Sequence, residues 1–147
     1  VADVVTHALT PTRLLLELDG DELRVIAQRG FERPLLEFFD LVADEGSACG
    51  IAMNRTRRVV VRDVEQSSVF RGIPAGAIML DAGVRAVRPI PLIGSSGRRP
   101  LGVFSTHHRR PGSRTPANRV LSLLAHRAAA WLESVDGTRP DDTLGPA

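Results

Sequence analysis

The chain carries one cysteine, Cys49, set among small residues in the stretch GSACGIAMNR at 46–55. A thiolate served by an imidazole is a nucleophile–base couple, and STHHRR at 105–110 supplies two adjacent imidazoles, His107 and His108. Such chemistry also needs a third group to orient the base, and no spacing here places either histidine against Cys49. A buried free cysteine behaves as a small hydrophobe, so Cys49 reads as packing. Successive strand residues face opposite sides, so at most one histidine of the pair looks inward, and the pair reads as a solvated strand end beside Arg109 and Arg110. His7 falls where the sequence predicts a frayed start, and His126 on a predicted polar helix face.

The other chemistry-bearing groups are carboxylates and arginines. Asp40, Asp44 and Glu45 cluster in one loop and Asp63 and Glu65 follow an apolar run. Carboxylates in turns serve as caps, and no His, Cys or Asp spacing matches a metal site. No catalytic residue is assigned. Arg85 and Arg88 sit three apart in one predicted strand, hence on opposite faces; the inward one has a guanidinium fork suited to an anion.

These residues need elements to hold them. RLLLEL at 13–18 and LRVIAQ at 23–28 are predicted strands joined by a tight turn around Asp19-Gly20. In the second run Leu23, Val25 and Ala27 alternate with polar neighbours until Ile26 interrupts the pattern. LLEFFDLVA, after Pro34, reads as a short helix or a folded loop covering the sheet. Ser47 caps a predicted helix running to Arg55, and VVVRDV at 59–64 reads as a strand. GIPAGAIMLDAG at 72–83 predicts a helix opened by Pro74 and stopped by Gly83. VRAVRPIPLIG at 84–94 and PLGVFSTHH at 100–108 form a hairpin through Ser95-Ser96-Gly97. Pro89 and Pro91 lack N–H groups on the same side of their strand, which must be an edge, a bulge or irregular there. Thr115 caps and Pro116 opens a final helix whose stripe is Ala117, Val120, Leu121, Leu124, Ala128, Trp131 and Leu132. Leu123 and Ala129 widen that stripe beyond what one sheet requires.

At 147 residues, 43% hydrophobic and 24% charged, the chain suits one soluble domain over 1–134 with a loose tail or linker at 135–147. No apolar run reaches the roughly 20 residues of a membrane span. All 19 basic residues are arginine, but the net charge is only +2 and tyrosine is absent, so the dispersed pairs do not read as a nucleic-acid surface. One cysteine permits no internal disulfide, which suits the cytoplasm. The opening at Val1 and the close SVDGTRPDDTLGPA read as a segment of something longer.

The order of elements resembles the GAF domains of bacterial signalling proteins over residues 13–133. The likeness rests on LRVIAQRGF at 23–31, GSACGIAMNRTRRVVVRDVEQSSVF at 46–70, AGVRAVRPIPLIGSSGRRPLGVFSTH at 82–107 and TPANRVLSLLAHRAAAWLE at 115–133. The resemblance implies an α+β fold, profilin-like and PAS-related. An antiparallel sheet of five or six strands carries the terminal helices on one face and a pocket enclosed by loops and short helices on the other. It further implies a sensory or regulatory module, covalently attached to an output domain, that binds a small molecule, forms a homodimer through its terminal helices, or does both; the alternatives are an enzyme like the free methionine-(R)-sulfoxide reductases and a ligand-free interaction module. The implied pocket takes Cys49 and Met53 from the first short helix and Phe70 and Met79 from the region of the second. Arg85, Val87, Phe104 and Thr106 join it from the two central strands.

The family uses cyclic nucleotides, haem, bilins and metabolites, and the residues identify no cofactor. The cyclic-nucleotide signature is broken, since Pro74 stands where its aspartate follows Phe70 and the chain has no lysine. The bilin cysteine and histidine are absent from 83–89. Free methionine-(R)-sulfoxide reductases share the architecture but work through several cysteines, and one thiol cannot complete their cycle.

Overall fold

The computed structural model describes residues 12–20, 22–30, 48–97, 100–112 and 118–136. The predicted cover at 35–43, the caps Ser47, Thr115 and Pro116, and most of the tail lie outside the described residues. The elements are β1 (Thr12–Asp19), β2 (Glu22–Arg29), α1 (Ala48–Arg55), α2 (Pro74–Asp81), β3 (Ala86–Ile93), β4 (Pro100–His108) and α3 (Asn118–Asp136). The four strands form one antiparallel sheet in the order β2-β1-β4-β3. The α+β fold class holds, with four strands among the described residues against the five or six expected.

The irregular Ile26 has a structural meaning. Leu15 pairs with Ala27 and Leu16 with Val25, which leaves Ile26 as the extra residue of a bulge. The bulge lets both Ile26 and Ala27 pack on the α3 side, with Leu15, while Val25 and Leu23 pack with Leu16 on the other side.

The segment at 59–64 is the clearest departure from the sequence reading. It runs antiparallel beside β3 but makes only an isolated bridge, between Val61 and Val87. Those two residues exchange both bonds, Val61 N–H to Val87 at 2.9 Å and Val87 N–H to Val61 at 3.0 Å. At the next such pair Val59 donates to the Pro89 carbonyl at 3.2 Å, but Pro89 has no N–H to return. Pro91 repeats the defect two residues on. At the other end Val64, not residue 63, donates to the Arg85 carbonyl at 2.7 Å, so the register has slipped. The prolines therefore make β3 the last regular strand and leave a β-branched run outside the sheet.

The two short helices end alike with different residues. In α2, Gly83 (φ 76) donates to Leu80 and Val84 to Met79, both at 2.9 Å, a Schellman end with glycine in the left-handed position. In α1, Thr56 donates to Met53 at 3.1 Å and Arg57 to Ala52 at 3.3 Å, the same motif with β-branched Thr56 at φ 51. Thr56 is the one non-glycine at positive φ among the described residues, a conformation that costs a β-branched side chain about 1 kcal/mol or more.

Helix α3 covers one face of the sheet. Leu121, Ala125, Ala128, Ala129 and Leu132 are buried there against Leu15, Ile90, Leu92 and Phe104. The alanines bring the helix backbone close to the strands and shift the buried stripe away from Val120, which is 45% exposed, and Leu123, 56% exposed. Leu124 and Trp131 pack at its margin. Glu133 fastens the helix to the β3–β4 turn: Ser95 donates its N–H at 3.1 and 3.2 Å and its hydroxyl at 2.6 Å to that carboxylate.

Candidate functional site

The opposite face of the sheet is covered by α1, α2 and the loop between them. Alternation along β4 sends Val103, Ser105 and His107 to this face and Phe104 and Thr106 to the α3 face. The pairing Val87 with His107 aligns β3 with the first set. Val61, Val64, Phe70, Ala75, Met79, Val84 and Val87 pack as one cluster with Ala48, and Leu16, Leu23, Cys49 and Val103 as a second, joined by Met53 and Val25. Helix α2 approaches closely because residue 76 is glycine; a Cβ there would stand 2.8 Å from the Phe70 carbonyl.

Five of the eight candidate lining residues, Cys49, Met53, Phe70, Met79 and Val87, thus share one face. Phe104 lies under α3 instead, fully buried with Leu121 and Leu132. Thr106 shares its parity, and its hydroxyl lies 3.2 Å from Nε2 of His108. Arg85 is engaged by carboxylates: its Nη2 donates to Asp63 at 3.3 and 3.4 Å and to Glu65 at 3.0 Å. Arg88 lies on the other side, where it lines a cleft with Leu121.

Sequence reasoning missed Ser105 and His107. The solvated reading of the histidine pair is overturned for His107, which has no exposed surface. Burial, with a smaller contribution from His108, pulls its pKa down to about 3, so the imidazole is neutral at any physiological pH. The reason lies in the pairing: β4 is central, flanked by β1 and β3 as far as its end, so a residue that looks terminal in the sequence is interior to the sheet. His108 is half-buried, its pKa lowered by desolvation and by Arg88.

Cys49 is buried, and desolvation pushes its thiol up to about 12, against a weaker opposing pull from the Ser105 hydroxyl. The face is therefore an apolar layer of buried side chains with three polar marks, a protonated thiol, a hydroxyl and a neutral imidazole. It holds no thiolate to attack a substrate. Among the described residues no three His, Cys, Asp or Glu side chains gather as a metal set, and no helix is long and apolar enough to cross a membrane.

No family model matches the chain, and no curated protein does. Solved structures do. A domain described as part of a two-component sensor histidine kinase from Sinorhizobium meliloti superposes with a TM-score of 0.71 at 18% identity, over 92% of this chain and 88% of that one. The GAF domain/HD domain protein from Geobacter sulfurreducens gives 0.69 at 11% identity, over 95% and 91%. The free methionine-R-sulfoxide reductase from Neisseria meningitidis, solved with its substrate, gives 0.61 at 18% identity, over 86% and 69%. The chain has the fold of GAF domains, a fold that these neighbours put to both signalling and enzymatic use.

Proposed function

We propose that this chain is a non-catalytic sensory or regulatory domain of a larger cytoplasmic signalling protein. It binds a small molecule against the α1/α2 face, pairs through α3, or does both. The state of Cys49 carries the non-catalytic part: the single thiol of the chain is buried and protonated, whereas sulfoxide reduction needs a thiolate to attack and a second thiol to resolve. Structural neighbours drawn from signalling proteins support the sensory part. Cys49, Met53, Phe70, Met79 and Val87 form the proposed ligand surface, with Ser105 and His107 as its polar points.

The mechanism is a population shift. A ligand seated on this face favours one packing of α1 and α2, and the sheet passes that preference to α3 and an attached output domain. Two measurements test the proposal. Free methionine-(R)-sulfoxide with a thiol reductant is expected to be left unchanged, and turnover lost on Cys49→Ala would establish the reductase alternative instead. A melting-temperature screen with nucleotides, haem and metabolites, together with sedimentation, is expected to reveal a ligand or a dimer. A flat screen and a monomer at high concentration would sink both halves.

A further inference from the structure

On the α3 side of the sheet, at the edge that the prolines break, the surface opens into two adjoining clefts of about 330 and 190 Å³. They share Arg58 and Ile90. The larger is floored by Ile90, Pro91, Ile93 and Ala125, and its walls carry Arg57, Arg58, His126 and the hydroxyls of Thr56 and Ser122. The smaller adds Val59, Val60, Arg88 and Leu121. Among the described residues no carboxylate lines either cleft. Neither Arg57 nor Arg58 is in an ion pair among the described residues, although Arg58 donates one N–H to the Ser122 hydroxyl.

We propose that this edge is a second binding site, for a small organic anion that sets its carboxylate or phosphate between Arg57 and Arg58 and lays an apolar body on Ile90, Pro91 and Ile93. Three features converge on it. The cleft exists because Pro89 and Pro91 cannot hold the preceding segment as a strand: before the Val59 bond to Pro89, the chain at 56–58 makes no backbone bond to β3 among the described residues and leaves a cleft over Ile90, Pro91 and Ile93. The guanidinium pair is aimed over that floor by the α1 terminus, where Thr56 adopts the left-handed conformation that α2 gives to glycine. Among the described residues the charged side chains that line the clefts, Arg57, Arg58 and Arg88, are cations, so an anion seated there forms charge-assisted bonds. The larger volume falls at the small end of the range typical of ligand sites, roughly 300–1,000 Å³.

This site is on the other side of the sheet from Cys49 and Met79 and stands independently of the proposed sensory surface. The test uses the 147-residue chain labelled for amide NMR and titrated with phenyl phosphate, inorganic phosphate and benzyl alcohol. Phenyl phosphate is expected to move the amides of Thr56, Arg58, Ile93 and His126 saturably. Inorganic phosphate should bind more weakly because it leaves the floor unused, and benzyl alcohol more weakly because it leaves the arginines unused. Arg57→Gln with Arg58→Gln should cost on the order of tenfold in affinity. His126→Glu, on an exposed position, should do the same with both arginines present by placing a competing carboxylate at the rim. The proposal is overturned if no saturable shift occurs at this edge, or if benzyl alcohol matches phenyl phosphate. It is equally overturned if inorganic phosphate matches it, if shifts appear only at Met53 and Met79, or if both variants bind as the parent does.

Discussion

Cys49 and His107 both sit on the α1/α2 face, and burial drives them to opposite kinds of neutrality. The thiol holds its proton because its pKa has risen from 9.0 to about 12. In the native chain Cys49 is expected to resist iodoacetamide at pH 8 and to react promptly once denaturant exposes it; rapid native labelling would show a reactive thiol and reopen the enzymatic reading. The imidazole is neutral because its pKa has fallen from 6.5 to about 3. The unfolded chain then binds a proton that the folded chain refuses. The associated stability is complete above pH 6.5 and is lost as pH falls towards 3, at up to about 1.4 kcal/mol per pH unit. Stability curves of the parent and His107→Gln measured from pH 7 to 3 should therefore diverge in slope, the variant losing less over the window. Parallel curves would place His107 in contact with water. Arg85 shows why side-chain type alone misleads: the guanidinium fork that suits a ligand anion is met by Asp63 and Glu65, two carboxylates at hydrogen-bond distance.

At the scale of elements, the ends of helices and the edges of strands decide what the core residues can do. Thr56→Gly removes a side chain from a left-handed position and is expected to raise stability by about 1 kcal/mol, read from denaturant midpoints. Pro89→Val supplies the missing donor opposite the Val59 carbonyl. It should slow amide exchange at Val59 and Val61 on the order of tenfold, whereas unchanged exchange in a folded variant would remove the proline explanation of the broken edge. Most of these elements were legible in the sequence. The Asp19-Gly20 turn, Pro74 at a helix start, Gly83 at its end and the paired prolines each act through local backbone chemistry. Parity was not legible. Val87 and Phe104 look equivalent in their strands, yet Val87 pairs with His107 and Phe104 with Ile90, so they face opposite sides. That register is set by the β3–β4 turn and by the slip between Leu92 and Ile93, neither of which follows from residue type. The strand at 59–64 failed for a related reason: its own β-branched residues are suited to a sheet, but the defect belongs to the partner strand.

For the whole molecule, the sheet separates two environments, and in the proposed function α3 is where a signal from either leaves the domain. Its inner stripe is committed to the core, while Val120 and Leu123 expose about half of their surface beside half-buried Leu124. An exposed leucine alone means little. Here two neighbouring apolar residues stand on the first turns of a 19-residue helix, the outer side of which otherwise carries Arg119, His126 and Arg127. A second copy of the same helix would cover the apolar pair while leaving the charges at the rim, which is how a twofold interface is commonly arranged. Leu123→Glu puts a carboxylate into the centre of that contact without disturbing the buried stripe. If the dimer forms here, sedimentation equilibrium should show the variant's self-association weakened by at least about tenfold, with the melting temperature of the monomer unchanged. A parent that remains monomeric at high concentration, or a variant that dimerises as the parent does, would move signal output from α3 to another surface.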